Sequence, residues 1–255
     1  MKSVAMVLST IMICLFTFTL SEAKVIDDLV LALSFEEGAG NTVNALSGKG
    51  NDGTIKGNPQ WVEGHFGKAL YFDGKTYVVA PHIPFDKQSF TIQLWVKPEM
   101  TTEQEVVFSQ YELNATNQSV HCRIYSDGRL LLGFYSNDLE APAASAKKDQ
   151  WQNLTFIFDA NDSTRKIYVD GNEVAKDASP SAYLGAKGDI WIGGWERPTK
   201  PEHPFYQIYT GAIDEVRVWL RPLGNDEIME SIDTEMPVEP LGKSATTWGE
   251  IKLIR

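Results

Sequence analysis

The acidic and histidine residues of this 255-residue sequence do not fall into the patterns that hydrolytic chemistry requires. Retaining glycoside hydrolysis uses two carboxyl groups about 5 Å apart, which on a strand means acids at positions i and i+2 or i+4. The apolar segments Phe90–Lys97 and Trp151–Phe158 contain no acid, and the acidic run Glu230–Glu235 has the wrong spacing. The 4 His residues form no metal-ligand motif, and no G-x-S-x-G segment marks a serine nucleophile. The sequence therefore predicts a protein that is not an enzyme.

Aromatic and arginine side chains favour ligand binding. Sugar-binding surfaces stack the apolar face of a sugar on Trp or Tyr and bind its hydroxyls with planar polar side chains. The candidates are Trp195, Arg197, Tyr206, Tyr125 and Arg123. Trp195 and Tyr206 flank a long, proline-containing loop, and functional residues concentrate on such loops. The alternative is that these residues are ordinary core or edge aromatics of a Trp-rich fold.

The strand predicted over Gly211–Leu220 is the element around which the rest of the chain is organised. From Val216 onward, apolar residues alternate with polar or bulky ones, which is the period of a strand with one apolar face. Asp214 lies just upstream among apolar residues, where an unpaired carboxylate would be costly. Asn225 and Asp226 then supply the N-cap of a short predicted helix.

Short segments with strand periodicity cover most of the remaining chain. They are Leu29–Phe35, Ala69–Asp73, Thr76–Ala80, Phe90–Lys97, Val106–Gln110, Ser119–Tyr125, Arg129–Tyr135, Trp151–Asp159, Arg165–Val169, Glu173–Lys176 and Asp189–Trp195. The turn at Gly74 and Lys75 predicts a hairpin between its flanking strands, whereas Glu36–Gly53 predicts an irregular connection. Many strands with one helix predict an all-β fold, a two-sheet antiparallel sandwich or jelly roll with one short C-terminal helix.

The two ends of the chain differ in composition from its middle. Residues 1–23 have the organisation of a secretory signal peptide, with Lys2, an apolar run and the small residue Ala23. An uncleaved N-terminal anchor is the alternative. Residues 24–233 are predicted to form the β domain, and residues 234–255 a linker and short tail. We therefore expect a secreted protein, extracellular or at the periplasm or cell surface, with no membrane span after signal cleavage.

The net charge limits the kinds of ligand that this protein could bind, and the cysteine content limits its disulfide bonds. A formal net charge of −11 argues against nucleic acid and anionic membranes, and is compatible with neutral sugars and divalent cations. Removal of the signal peptide leaves Cys122 as the single cysteine, so no intrachain disulfide can form. Cys122 is predicted to be a small buried hydrophobe rather than a reactive thiol.

Several segments together resemble the laminin G-like jelly-roll family, within the concanavalin A-like lectin/glucanase fold. They are FEEGAG at Phe35–Gly40, SGKGNDGTI at Ser47–Ile55, GKALYFDGKTYVVAP at Gly67–Pro81, SFTIQLWVKP at Ser89–Pro98, WQNLTFIFD at Trp151–Asp159, KIYVDGNEV at Lys166–Val174, IWIGG at Ile190–Gly194 and GAIDEVRVWLRPLGNDEI at Gly211–Ile228. These segments occur in the order typical of the family. The resemblance implies two stacked antiparallel sheets of about six or seven strands each.

The resemblance also implies a structural calcium ion, held between the exit of the first strand and the last strand. By position, Asp214 matches the carboxylate ligand of that site, Glu36 lies opposite it, and Asp73 is a weaker candidate; oxygen ligands of this kind suit Ca²⁺. The family usually carries an Asp in the early loop where this chain has Ala45. The alternative is that Asp214 only accepts backbone hydrogen bonds from the loop at Glu36–Gly53.

Two functional hypotheses follow from these observations. The first is a secreted non-catalytic binding module that recognises extracellular glycans, with calcium as a structural ion. The second is a protein–protein adhesion or structural module of the cell surface, with a cell-surface protein as its partner. The first rests on analogy of fold, because a fold alone does not determine a ligand.

Overall fold

A computed structural model describes residues 25–111, 115–178, 181–196, 205–206 and 208–237. The predicted signal peptide lies outside the described residues, as does the predicted tail beyond residue 237. The described residues form short strands, a 3-10 helix at Val25–Asp28 and the α-helix α1 at Asn225–Asp233. The prediction of an all-β fold with one short C-terminal helix is confirmed.

The strands follow the predicted segments closely, with five short additions. Numbered along the chain, they are β1 (Leu31–Leu33), β2 (Thr42–Val43), β3 (Gly53–Lys56), β4 (Gln60–Glu63), β5 (Lys68–Asp73), β6 (Tyr77–Ala80), β7 (Phe90–Pro98), β8 (Gln104–Tyr111), β9 (Ser119–Tyr125), β10 (Leu130–Gly133), β11 (Asp138–Glu140), β12 (Gln152–Asp159), β13 (Thr164–Val169), β14 (Asn172–Ala178), β15 (Ile190–Ile192), β16 (Trp195–Glu196), β17 (Phe205–Tyr206) and β18 (Thr210–Trp219). The sequence did not predict β2, β3, β4, β11 or β17. These strands are only two to four residues long, and the side chains of β4 are mostly exposed, so no apolar alternation marks it.

Two antiparallel sheets of eight strands each make the sandwich. The first has the order β14-β13-β12-β7-β18-β5-β4, and the second has the order β11-β10-β9-β8-β15-β6-β3-β2. Along one side, β18 pairs first with β5 and then with β1, where Leu31 lies opposite Val218. The first strand of the chain therefore pairs with the last. Strands β16 and β17 form a separate two-stranded ribbon.

Alternate residues of β7 show how the core between the sheets is filled. Phe90, Ile92, Leu94 and Val96 are fully buried there, together with residues from both sheets. Cys122 of β9 lies in the same core as a free cysteine, and burial raises the pKa of its thiol well above the ordinary value. The prediction that Cys122 is a small buried hydrophobe is confirmed.

The opposite face of β7 is also covered, because α1 and the 3-10 helix pack on the outer side of the first sheet. Trp95 and Trp219 join a second apolar cluster there with Ile228 of α1. Gln93 Nε2 donates to Ser231 Oγ of α1 at 2.8 Å. The first sheet is therefore buried on both faces over this part, which explains its Trp-rich outer positions.

The N-cap of α1 lies one residue earlier than predicted. Gly224 is the N-cap residue, and its N–H donates to the Glu227 carboxylate at 2.9 Å. The prediction that Asn225 and Asp226 form the cap is therefore wrong. The side chain of Glu227, the third residue of the helix, accepts the backbone N–H of the N-cap residue Gly224 instead. In the described part of the chain, no helix has the length and hydropathy of a bilayer span.

The predicted hairpin at Gly74 and Lys75 is wrong. Strand β5 pairs with β4 and β18 in the first sheet, whereas β6 pairs with β3 and β15 in the second. The turn therefore carries the chain from one sheet to the other. Asp73 Oδ1 accepts the N–H groups of Lys75 at 3.0 Å and Thr76 at 2.8 Å, which fixes the corner. A local turn signal cannot distinguish these two outcomes.

In the connection Glu36–Gly53, the Asp52 carboxylate binds the backbone of Ala45, the position where the family usually carries an Asp. The Ala45 N–H donates to Asp52 Oδ1 at 2.7 Å, and Ala45 itself forms a β-bridge with Leu33. Asn51 Nδ2 also donates to the Val30 carbonyl at 2.9 Å, so the connection closes back onto the start of β1. Asp52 therefore supplies a loop-bracing carboxylate in this chain.

Arg165 ties the two sheets together. Its guanidinium, 1% exposed, bonds Asp177 through Nε at 3.1 Å and Nη2 at 2.6 Å, within the first sheet. Its Nη1 donates to the carbonyl of Asn137 at 2.6 Å and to that of Leu132, in the second sheet, at 3.4 Å. A buried guanidinium with all of these partners links β13 to β10 across the edge of the sandwich.

We expect Arg165→Met to lower the free energy of unfolding by about 3 kcal/mol. The substitution leaves buried carbonyls and the Asp177 carboxylate without the donor that now binds them. Arg129→Met is the matched control, since Arg129 makes exposed ion pairs with Asp127 and Glu140, and its expected effect on stability is small. Urea unfolding at 25 °C measures both. Equal losses in the two variants would contradict the cross-sheet role.

Candidate functional site

Two clusters of polar and aromatic side chains lie on opposite outer faces of the sandwich. The first surrounds Asp214, which is fully buried on β18 opposite Trp95 of β7. Asp214 Oδ2 accepts the N–H of Phe66 at 3.0 Å. No described residue supplies a hydrogen-bond partner to Asp214 Oδ1, although that atom is buried.

A tight turn at Gly64–Gly67 covers the Asp214 carboxylate. The Gly64 N–H donates to the Gly67 carbonyl at 3.1 Å, and a Cβ on Gly64 would lie 2.7 Å from Asp214 Oδ2. His65 in this turn stacks on Trp95, with ring centroids 3.3 Å apart. The turn can lie this close to Asp214 only because its first residue has no side chain.

Glu36 approaches the same turn from the other side. Its Oε1 accepts the N–H of Lys68 at 2.8 Å, and its carboxylate lies where a side chain on Gly67 would be. The structure therefore brings Glu36 and Asp214 to one turn, as the resemblance implied. It does not bring Asp73 there, because Asp73 lies at the far end of β5 and uses its carboxylate in the corner before β6.

Burial raises the pKa of Asp214 to about 8. The Phe66 N–H opposes that rise, whereas the nearby carboxylates of Glu215 and Glu36 add to it. Above that pH, the Asp214 carboxylate would be a buried anion whose Oδ1 has no hydrogen-bond partner among the described residues. A bound cation would stabilise this charged form.

The oxygen atoms around Asp214 are of the kinds that could coordinate a calcium ion. Two carboxylates, Asp214 and Glu36, and the carbonyls of the turn are hard oxygen ligands of the kind that Ca²⁺ takes. Among the described residues, no group of three or more His, Cys, Asp or Glu side chains could hold a metal. A calcium ion here would therefore depend on backbone carbonyls and water for most of its ligands.

The second cluster lies on the outer face of the second sheet. Trp195 of β16, 6% exposed, stacks on His121 with ring centroids 4.4 Å apart. The guanidinium carbon of Arg123 lies 4.8 Å from the centroid of the Trp195 ring, and the ring of Tyr111 lies 6.1 Å away. Strand β17 places Tyr206 directly opposite Trp195 in the ribbon.

His121 and Asp138 complete this cluster, and neither was predicted. His121 Nε2 lies 3.7 Å from Asp138 Oδ1, in space that is open because Gly133 has no side chain. Burial lowers the pKa of His121 well below its ordinary value, Arg123 lowers it further, and the Ser119 carbonyl opposes them. The imidazole is therefore neutral near pH 7. The alternation of β9 could have identified His121, since it lies two residues before Arg123.

The predicted ligand residues partly come together. Arg123 and Tyr125 share one face of β9, and the guanidinium of Arg129 covers the Tyr125 ring at 4.3 Å. Trp195 joins Arg123, but Trp195 and Tyr125 are both nearly buried. Arg197 lies outside the described residues. The arrangement combines cationic hydrogen-bond donors with aromatic side chains on one surface.

Comparison with known proteins agrees with this architecture. The Laminin_G_3 family model, described as the concanavalin A-like lectin/glucanases superfamily, matches residues 72–229, which is more than half of the chain. No curated protein shows significant sequence similarity to the chain.

Solved structures share the fold at low sequence identity. Domain 4 of AbnA, a GH43 extracellular arabinanase from Geobacillus stearothermophilus, in complex with arabinotriose, has a TM-score of 0.60 and 21% identity, covering 80% of this chain and 98% of that domain. The binding domain of Paraclostridial Mosquitocidal Protein 1 has a TM-score of 0.61 and 14% identity, covering 81% and 52%. The binding domain of Botulinum Neurotoxin DC in complex with SialylT has a TM-score of 0.59 and 14% identity, covering 81% and 51%. This chain therefore spans about half of the toxin binding domains, and the similarity establishes the fold alone.

We expect Asp214 to make the metal-free protein less stable as pH rises. A carboxyl whose pKa is about 8 when folded and about 3.9 when unfolded binds its proton more tightly in the folded state, so stability falls between pH 4 and 8. Between pH 5 and 7.5, in chelator, wild type should lose on the order of 3 kcal/mol relative to Asp214→Asn. Urea unfolding at the two pH values measures this difference. Asp73→Asn is the control and should not reproduce it; parallel curves for wild type and Asp214→Asn would refute the prediction.

Proposed function

Because the chain belongs to the concanavalin A-like lectin/glucanases superfamily, we propose that it is a secreted, non-catalytic module that binds extracellular glycans. The observation that supports this proposal most is the cluster of Trp195, Arg123 and His121 on the outer face of the second sheet. The arabinanase domain in complex with arabinotriose and the toxin binding domain in complex with SialylT have the same fold, which adds an analogy.

The proposed site suits neutral sugars. Arg123 carries N–H donors for hydroxyl groups, and Trp195 offers an apolar contact to a sugar ring. The single N–H of the neutral His121 faces the Ser119 carbonyl, with Nδ1 3.1 Å from that oxygen, so its Nε2 can act only as an acceptor. Tyr125 extends this surface along β9, and Tyr206 lies opposite Trp195 in the ribbon. The formal charge of −11 disfavours strongly anionic ligands.

A non-catalytic role is supported by the distribution of acids along the strands. The central strands β7 and β12 have no acid apart from Asp159 at the end of β12, so they do not carry the paired carboxylates that glycoside hydrolysis uses.

We also propose that Asp214 and Glu36 hold a structural calcium ion. The ion would supply positive charge beside the buried Asp214 carboxylate, whose raised pKa reflects its burial. Its role would be to stabilise the turn at Gly64–Gly67 against β18.

For the glycan site, we expect Trp195→Phe combined with Arg123→Gln to weaken binding about tenfold, because an aromatic contact and a charged donor are lost. Trp191→Phe is the matched control: Trp191 is also nearly buried on this face, but it stacks on Tyr77 at 4.5 Å, away from Trp195. A glycan array with and without Ca²⁺ identifies the ligand, and titration calorimetry measures the variants. An array that shows no binding would favour the alternative, a protein–protein adhesion module.

For the calcium site, we expect excess Ca²⁺ to raise the melting temperature by roughly 5 °C, as about 2.7 kcal/mol follows from a hundredfold excess over Kd. Asp214→Asn should abolish this shift, since it removes the principal charge while keeping the shape. Asp73→Asn should keep it, because Asp73 lies at the other end of β5. Differential scanning calorimetry in calcium and in chelator makes the comparison, and identical wild-type melting in both would exclude the ion.

A further inference from the structure

A groove of about 270 Å³ opens on the outer face of the first sheet, beyond Asp214 toward the start of β18. Its floor is formed by Gly211 and Ala212 of β18. Ala212 lies opposite Tyr71 of β5 on one side and Lys97 of β7 on the other. A methyl group between two long side chains leaves the space between them open.

The absence of a side chain on Gly211 keeps the groove open. The Gly211 φ of +134° lies in a region that favours glycine, and a Cβ there would collide with the Lys97 carbonyl and lie 3.1 Å from Pro98 Cα. The groove is therefore built into the backbone of β18 where it crosses β7.

The side chains around the groove carry an excess of negative charge. Three carboxylates line it, from Glu63, Glu99 and Asp149, against the single ammonium of Lys97. Tyr71 donates its hydroxyl to Glu99 Oε1 at 2.9 Å, which orients that carboxylate. Within the described part of the chain, Glu63, Asp149 and Lys97 form no ion pair with one another or with other residues. Their charges are thus available to a ligand.

The walls are suited to a flat ring. The half-buried ring of Tyr71 and the exposed side chain of Val62 give an apolar contact, while the acids supply hydrogen-bond acceptors and Lys97 a donor. Ligand pockets for larger molecules run from about 300 Å³ upward, so this groove holds one ring rather than an extended chain. A protonated amine on that ring would meet both the carboxylates and the aromatic face of Tyr71.

We propose that this groove binds an amino sugar unit that carries a free, protonated amine. The site is separate from the one around Trp195, so it goes beyond the proposed glycan site and does not depend on it. The excess of acids disfavours uronate and sulfated sugars, and an acetylated amine loses the charge that the three carboxylates recognise.

Titration calorimetry on the full chain without its signal peptide tests the proposal with two matched probes, a β-1,4-linked glucosamine trimer and its fully N-acetylated counterpart. We expect the free-amine trimer to bind about tenfold more tightly, because several carboxylates each contribute a modest charge interaction. Its advantage should shrink at high salt, since exposed charges are screened. Equal affinity for the two trimers would overturn the proposal. Equal affinity for a trilysine peptide would do so as well, because the groove would then recognise the amine and not the sugar.

Variants locate the site. Glu63→Gln combined with Glu99→Gln should lower the affinity for the glucosamine trimer about tenfold, whereas Glu230→Gln combined with Asp233→Asn, an equal change of charge on α1, should not. Circular dichroism checks that both variants fold. Equal effects of the two double variants would show only a response to net charge and would overturn the assignment. Trp195→Phe should leave glucosamine binding unchanged, so failure of the proposed glycan site and failure of this groove give different results.

Discussion

The position of Asp214 depends on a β-bulge in β18, the strand that pairs with β7, β5 and β1. Between Asp214 and Arg217 the register against β7 shifts, and Glu215 adopts a positive φ of 53°. The extra residue reverses the alternation, so Ile213 and Val216 both face the core while Asp214 lies on the outer face beside Trp95. Bulges re-aim side chains in this way. Unbroken alternation would place a carboxylate in the apolar interior: Glu215 if it is counted from Ile213, or Asp214 if it is counted back from Val216.

The bulge is held in place by a buried ion pair. Glu215 and Arg217 are each 1% exposed and bond one another, and the Arg217 guanidinium also reaches the carbonyls of Ser231 and Thr234. Glu215 in turn accepts the Met236 N–H at 3.2 Å. The end of α1 and the residues after it are thus fastened to the strand that carries Asp214. A buried ion pair adds little net stability, but removal of either partner would leave a charge without compensation.

The two outer faces of the sandwich have different chemical characters because they are covered differently. Helix α1 and the turn at Gly64–Gly67 bury much of the first sheet, which leaves the buried carboxylate and, beyond it, the acidic groove. The second sheet is overlaid by the β16–β17 ribbon, and its outer residues include Arg123 and His121. One outer face therefore carries an arginine among aromatic side chains, and the other carries an acidic groove. Separate ligands for the two faces are consistent with this division of charge.

The fold class, most strand positions, the short helix and the buried Cys122 could be predicted from sequence, because periodicity, turn residues and caps act over a few neighbours. The grouping of Asp214 with Glu36 was implied by resemblance to a family, and the structure brings the two together at one turn. The corner at Asp73, the polar edge strand β4, the bulge at Glu215 and the approach of His121 to Trp195 were decided only by the tertiary structure. Each depends on which distant strand lies alongside, and the same local turn or alternation is compatible with more than one such partner. The sequence alone therefore specifies most of the segments that become strands, whereas packing between distant segments determines which side chains meet at a site.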